Sequence, residues 1–136
     1  MERAANKADG RFGVLLVDDV ADLRLMLRLN LEGSGRFAVL AEAGDGQEGV
    51  RLAEDHQPDL VLLDIAMPVM DGLEALPQIR DAAPGTRVVI LSGFEECRLG
   101  GKALDLGATA YLEKSLPPEQ LVAQLIELMN GNRPRA

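Results

Sequence analysis

Apolar runs alternate along the chain with amphipathic segments. Residues 14–17 (VLLV), 38–43 (AVLAEA), 60–63 (LVLL), 87–91 (RVVIL) and 110–112 (AYL) read as strands. An unbroken run such as LVLL suits a strand buried on both faces, as in a parallel sheet covered by helices. The intervening segments carry a helical period. Leu23, Met26, Leu27, Leu29 and Asn30 mark a first helix, stopped by Gly33-Ser34-Gly35. Residues 47–55 (QEGVRLAED) make a short second helix before Pro58. A third runs from Leu73 to Asp81; proline suits only a first turn, so Pro77 predicts a start near Gly72–Glu74 or a kink. A fourth, around 95–106, is weakened by Gly100-Gly101, at about 1 kcal/mol per glycine relative to alanine. The fifth, 118–129 (PEQLVAQLIELM), sets Leu121, Leu125, Leu128 and Met129 on one face, with Pro118 near its start.

Five strands alternating with five helices predict an α/β fold, a doubly wound five-stranded parallel sheet with helices on both faces. Right-handed crossovers leave few strand orders, and the flavodoxin-like order 2-1-3-4-5 suits five such units. The expected organisation is a polar tail over 1–11, one domain over 12–130 and a second polar tail over 131–136. No repeat or low-complexity linker divides the 136 residues.

Composition narrows the function classes. A formal net charge of −8 argues against this domain gripping nucleic acid or an anionic membrane surface by itself. The single cysteine, Cys97, excludes an internal disulfide framework, and the single histidine, His56, sits in the polar run EDHQPD. Cysteine zinc sites and Ser-His-Asp or Cys-His catalysis are therefore not expected. No apolar stretch approaches a membrane span, and MERAANKADGR is not a secretory start, so the expected location is the cytoplasm.

The candidate chemistry lies at the strand ends, where open α/β sheets bind ligands. Asp18 and Asp19 follow the first strand, Asp64 the third and Ser92 the fourth, while Lys114 lies near the end of the fifth. Three carboxylates at one sheet edge cannot all stay ionised without a cation, because each raises the others' pKa. A hard divalent ion, Mg²⁺ with Mn²⁺ as a substitute, answers that need. With it and the Lys114 ammonium the local charge balances, and one carboxylate can act as a nucleophile toward phosphorus.

VDDV, LDIAMPVMDG, ILSG and YLEK, in this order and spacing, resemble the receiver domain of two-component response regulators across roughly residues 12–130. The resemblance implies that Asp64 accepts a phosphoryl group from a phosphohistidine on a sensor histidine kinase or phosphotransfer protein. It implies that Asp18, Asp19, Asp64 and the backbone carbonyl of Ala66 hold Mg²⁺. Ser92 matches the hydroxyl that swings to the phosphate, and Lys114 the phosphate-binding ammonium. Tyr111 matches the aromatic that turns inward when the hydroxyl moves. The face made by the fourth helix, fifth strand and fifth helix would then meet an output domain or a dimer partner. Such a domain is a switch that catalyses its own phosphorylation and slow dephosphorylation rather than a metabolic enzyme.

Two features depart from the family pattern. Many receivers follow the lysine with a proline, often after a cis bond; here Ser115 follows Lys114. Ala66 offers no side chain to orient a water and Phe94 is bulky and apolar, so slow hydrolysis of the acyl phosphate is expected. Gly100-Gly101 suggests a loosely formed fourth helix. Rival readings remain. Residues 44–49 (GDGQEG) match the dinucleotide-binding G-x-G-x-x-G, although Asp45 and Glu48 would repel a pyrophosphate. A flavin carrier of the same sheet order needs its phosphate loop after the first strand, where DDVAD stands. An unphosphorylated docking or dimerisation module would share the fold. Asp71-Gly72 reads as turn and helix-start chemistry, and Met67 and Met70 as packing.

Overall fold

The apolar runs become strands because helices cover them on both sides. The structure, a computed structural model, describes residues 10–93 and 99–131. The strands are β1 (Phe12–Val17), β2 (Phe37–Ala43), β3 (Leu60–Asp64), β4 (Arg87–Ser92) and β5 (Ala110–Glu113). They form one parallel sheet in the order β2-β1-β3-β4-β5. This is the flavodoxin-like, doubly wound arrangement expected from the alternation. β3, central in the sheet, is buried at every position, whereas the edge strand β2 is fully buried only at its two ends.

The helices are α1 (Ala21–Gly33), α2 (Gly46–His56), α3 (Gly72–Ala82), α4 (Gly100–Asp105) and α5 (Pro118–Met129). One hydrophobic cluster packs α1 and α5 on the sheet through Leu27, Leu31, Leu121, Leu125 and Leu128. The other packs α2, α3 and α4 on the opposite face through Ala53, Ala75, Leu76, Ile79 and Ala103. Alternate residues of one strand serve both: Leu16 faces the first cluster, Leu15 and Val17 the second. Each fully buried leucine in these layers contributes on the order of 2 kcal/mol.

Helix α5 spans the expected residues. Helix α1 differs in its face: Leu31 is wholly buried and Leu29 is 63% exposed, so the core stripe runs through Leu27 and Leu31. Pro77 lies inside α3, which begins at Gly72 and passes through it. Its ring faces the exposed side, where the Leu73 carbonyl that loses its partner can be solvated. The start of α3 is fixed by a capping box: Asp71 accepts from the Glu74 N–H at 2.9 Å, and Glu74 accepts from the Asp71 N–H at 3.3 Å. Helix α4 ends at Asp105, within a residue of the expected end; the part expected over 95–98 lies outside the described residues. Among the described residues, no helix is long and apolar enough to cross a membrane.

Candidate functional site

Strand register alone gathers the strand-end residues. Val17 pairs with Leu63, so Asp18 emerges level with Asp64. Asp64 pairs with Leu91, which sets Ser92 one step beyond it. Ser92 pairs with Glu113, and the Lys114 N–H donates to the Ser92 carbonyl at 2.8 Å. Asp18, Asp64 and Ser92 are buried, while Asp19 is exposed at the rim.

The Lys114 ammonium lies 2.9 Å from Asp64 Oδ1 and 3.2 Å from Asp18 Oδ2. Asp18 Oδ1 accepts from the Val20 N–H at 2.9 Å, which folds the loop after β1 back on itself. Its other oxygen, Oδ2, is buried and accepts no hydrogen bond of good geometry from the described residues, the ammonium standing off at ion-pair distance. The Ala66 N–H lies 3.4 Å from Asp64 Oδ1, a weak contact, and Ala66 itself is exposed. Carboxylate oxygens of Asp18, Asp19 and Asp64 all fall within 4.8 Å of one another.

The electrostatics follow from burial and proximity. Burial raises the Asp64 pKa, and the charge of Asp18 adds to the rise, against the lowering effect of Lys114. Burial works against the Lys114 ammonium, yet the carboxylates of Asp64 and Asp18 outweigh it and hold its pKa up. Three carboxylates meet one ammonium in this cluster. An unbonded buried oxygen on Asp18, a strained ionised Asp64 and an all-oxygen donor set fit a hard divalent cation, as Mg²⁺ requires.

Sequence reasoning missed the support of this cluster. Arg24, in the first turns of α1, donates Nη1 to the backbone carbonyl of Asp18 and pairs Nε with Glu42 Oε1 of β2 at 2.9 Å. Arg28 holds the other oxygen of Glu42 at 2.7 Å. The signal was an arginine soon after the acid pair, on a helix that starts beside it.

Ser92 Oγ donates to the Gly93 carbonyl at 3.0 Å. Tyr111 is partly buried among the cluster under α2–α4, and its hydroxyl is buried without a hydrogen-bond partner among the described residues. No peptide bond among the described residues is cis, so Lys114-Ser115 is trans. Phe94 and Cys97 lie outside the described residues.

The glycines of the GDGQEG segment face packed protein. A β-carbon at Gly46 would collide with the Met70 carbonyl, and one at Gly49 would lie 2.9 Å from Val17 Cγ1. These glycines seat α2 against the sheet and the loop after β3. Asp45 caps α2 by accepting from the Glu48 N–H at 2.9 Å, so carboxylates already hold that helix start.

Comparison with known proteins agrees with this geometry. The response regulator receiver domain family matches residues 14–126. The transcriptional regulatory protein YdfI of Bacillus subtilis is 37% identical over 119 residues, 88% of this chain and 55% of YdfI. The chain thus spans about half the length of the curated relatives it matches first. A LuxR-family two-component response regulator from Aurantimonas sp. SI85-9A1 superposes with a TM-score of 0.84 at 32% identity, covering 91% of this chain and 89% of that one. CheY of Borrelia burgdorferi, solved as a complex with CheX, BeF3 and Mg²⁺, matches with a TM-score of 0.80 at 30% identity, over 93% of this chain and 96% of that one. Sequence, sheet order and fold converge on one family: the chain belongs to the response regulator receiver domains.

Proposed function

We propose that Asp64 is the phosphoacceptor of a two-component pathway, and that its phosphorylation switches the face formed by α4, β5 and α5. The reading rests on one observation: a single ammonium, Lys114, lies between the buried carboxylates of Asp18 and Asp64 at the sheet's carboxyl edge. Two buried carboxylates and a partly buried ammonium without function there would be a large stability cost.

An oxygen of Asp64 bonds to phosphorus as the donor's P–N bond breaks; the electron pair returns to the imidazole nitrogen, which takes up a proton. Mg²⁺, or Mn²⁺, held by Asp18, Asp19, Asp64 and the Ala66 carbonyl, would supply positive charge to the phosphoryl oxygens. Lys114, already 2.9 Å from Asp64, keeps that carboxylate ionised and afterwards holds a phosphoryl oxygen. Ser92 exchanges its bond to the Gly93 carbonyl for one to the phosphoryl group. Tyr111 follows into the space it leaves, and the α4–β5–α5 face changes for an output domain or a second copy. The donor is the phosphohistidine of a sensor kinase or phosphotransfer protein, acting in the cytoplasm. Ala66 brings only a methyl group near Asp64, so hydrolysis is slow. The BeF3 and Mg²⁺ in the Borrelia CheY complex support the metal and phosphoryl sites by likeness.

The test is incubation with Mg²⁺ and a small acyl phosphate, followed by intact-mass measurement. One added phosphoryl group is expected, and none when the metal is chelated before the acyl phosphate is added or in Asp64→Asn. A wild-type chain that never takes the group would fit an unphosphorylated docking module instead.

A further inference from the structure

We infer that Gly100 is a positioning residue for Tyr111: the side chain it lacks is the space in which the tyrosine ring sits. A β-carbon at Gly100 would lie 2.8, 2.9 and 3.0 Å from Cδ2, Cγ and Cε2 of that ring. Carbon atoms in contact settle at about 3.5–4.0 Å, so the ring occupies the volume of the missing methyl. A planar ring cannot yield there as a flexible chain end would. Gly100 does not adopt a positive φ, so packing rather than backbone conformation is what calls for glycine. Its neighbour Gly101 has nothing within 4 Å of the same construction, although both weaken the six-residue helix α4 alike.

Among the described residues, nothing else pins the ring at its polar end. The Tyr111 hydroxyl is buried with no hydrogen-bond partner, and Ser92 turns its own hydroxyl to the Gly93 carbonyl. A buried phenol without a partner opposes the burial of its ring. The seat therefore depends on how closely the first turn of α4 approaches β5, and Gly100 is the point of approach. The inference adds to the proposed role of Tyr111 a second control of ring position, from α4 as well as from Ser92.

Tyr111 is the only tyrosine and the chain has no tryptophan, so its fluorescence reports on this one ring. The experiment measures acrylamide quenching of that fluorescence in the full chain, in Gly100→Ala and in Gly101→Ala. In Gly100→Ala the quenching constant is expected to rise several-fold, while Gly101→Ala, which strengthens the helix equally, matches wild type. A Gly100→Ala ring shielded as in wild type, or equal exposure in both variants, overturns the inference. If Gly100→Ala does not fold, adding Tyr111→Leu should restore folding by removing the clash; no restoration overturns it as well. Quenching of the wild type unchanged by phosphorylation would instead count against the switching role of Tyr111, leaving the Gly100 contact in place.

Discussion

Lys114 Nζ lies 2.9 Å from Asp64 Oδ1, joining the end of β5 to the end of β3 across β4. The same ammonium is within 3.2 Å of Asp18 Oδ2, so one cation serves two buried acids.

Replacing Lys114 with alanine leaves two buried carboxylates without their cation. A fully buried pair would cost about 3–5 kcal/mol when broken, and the 24% exposure of the Lys114 side chain reduces this to about 1–2 kcal/mol. Urea denaturation of metal-free protein at neutral pH should show the loss. It should shrink in acid, where the carboxylates are protonated.

Asp64 itself opposes folding when ionised. Its pKa is raised above the ordinary 3.8, chiefly by burial, so its contribution is fully present below that value and is lost as pH rises through the raised one. Asp64→Asn escapes this loss. In metal-free protein its stability should exceed wild type at neutral pH and fall less steeply as pH rises from about 4.

A metal that relieves this cluster binds only the folded chain and must stabilise it. Titration with Mg²⁺ should raise the Tm, with a gain of about 2.7 kcal/mol at a hundredfold excess over Kd. The double variant Asp18→Asn, Asp19→Asn should keep its metal-free fold and lose the response. An undiminished response would place the metal elsewhere.

The loop after Asp64 holds a strained turn. The Met70 N–H donates to the Pro68 carbonyl at 2.7 Å, closing a three-residue turn around Val69, whose φ is +67°. A β-branched residue rarely adopts that conformation, and the 76% exposed side chain gains little packing in return. Val69→Gly should stabilise the fold by about 1 kcal/mol in urea denaturation.

Strand order and helix layers were legible in the sequence because buried parallel strands write themselves as unbroken apolar runs. The strand-end residues were legible because each directly follows or lies close to such a run, and register then sets them side by side. Leu29 and Leu31 were not separable, since α1 is apolar around much of its circumference and only packing against α5 and β2 selects the buried side. The Arg24–Glu42 support escaped notice because it joins residues from α1 and β2 that no local pattern links. Gly100 read as a helix weakness; its contact with Tyr111 depends on how α4 lies across β5.

The central claim is that Asp64, and neither acid of the pair after β1, receives the phosphoryl group. An acyl phosphate formed with Mg²⁺ can be reduced by borohydride, which marks the modified aspartate as homoserine for peptide sequencing by mass spectrometry. Homoserine at position 64 alone is the predicted result; homoserine at 18 or 19, or a labelled chain with position 64 intact, would contradict it.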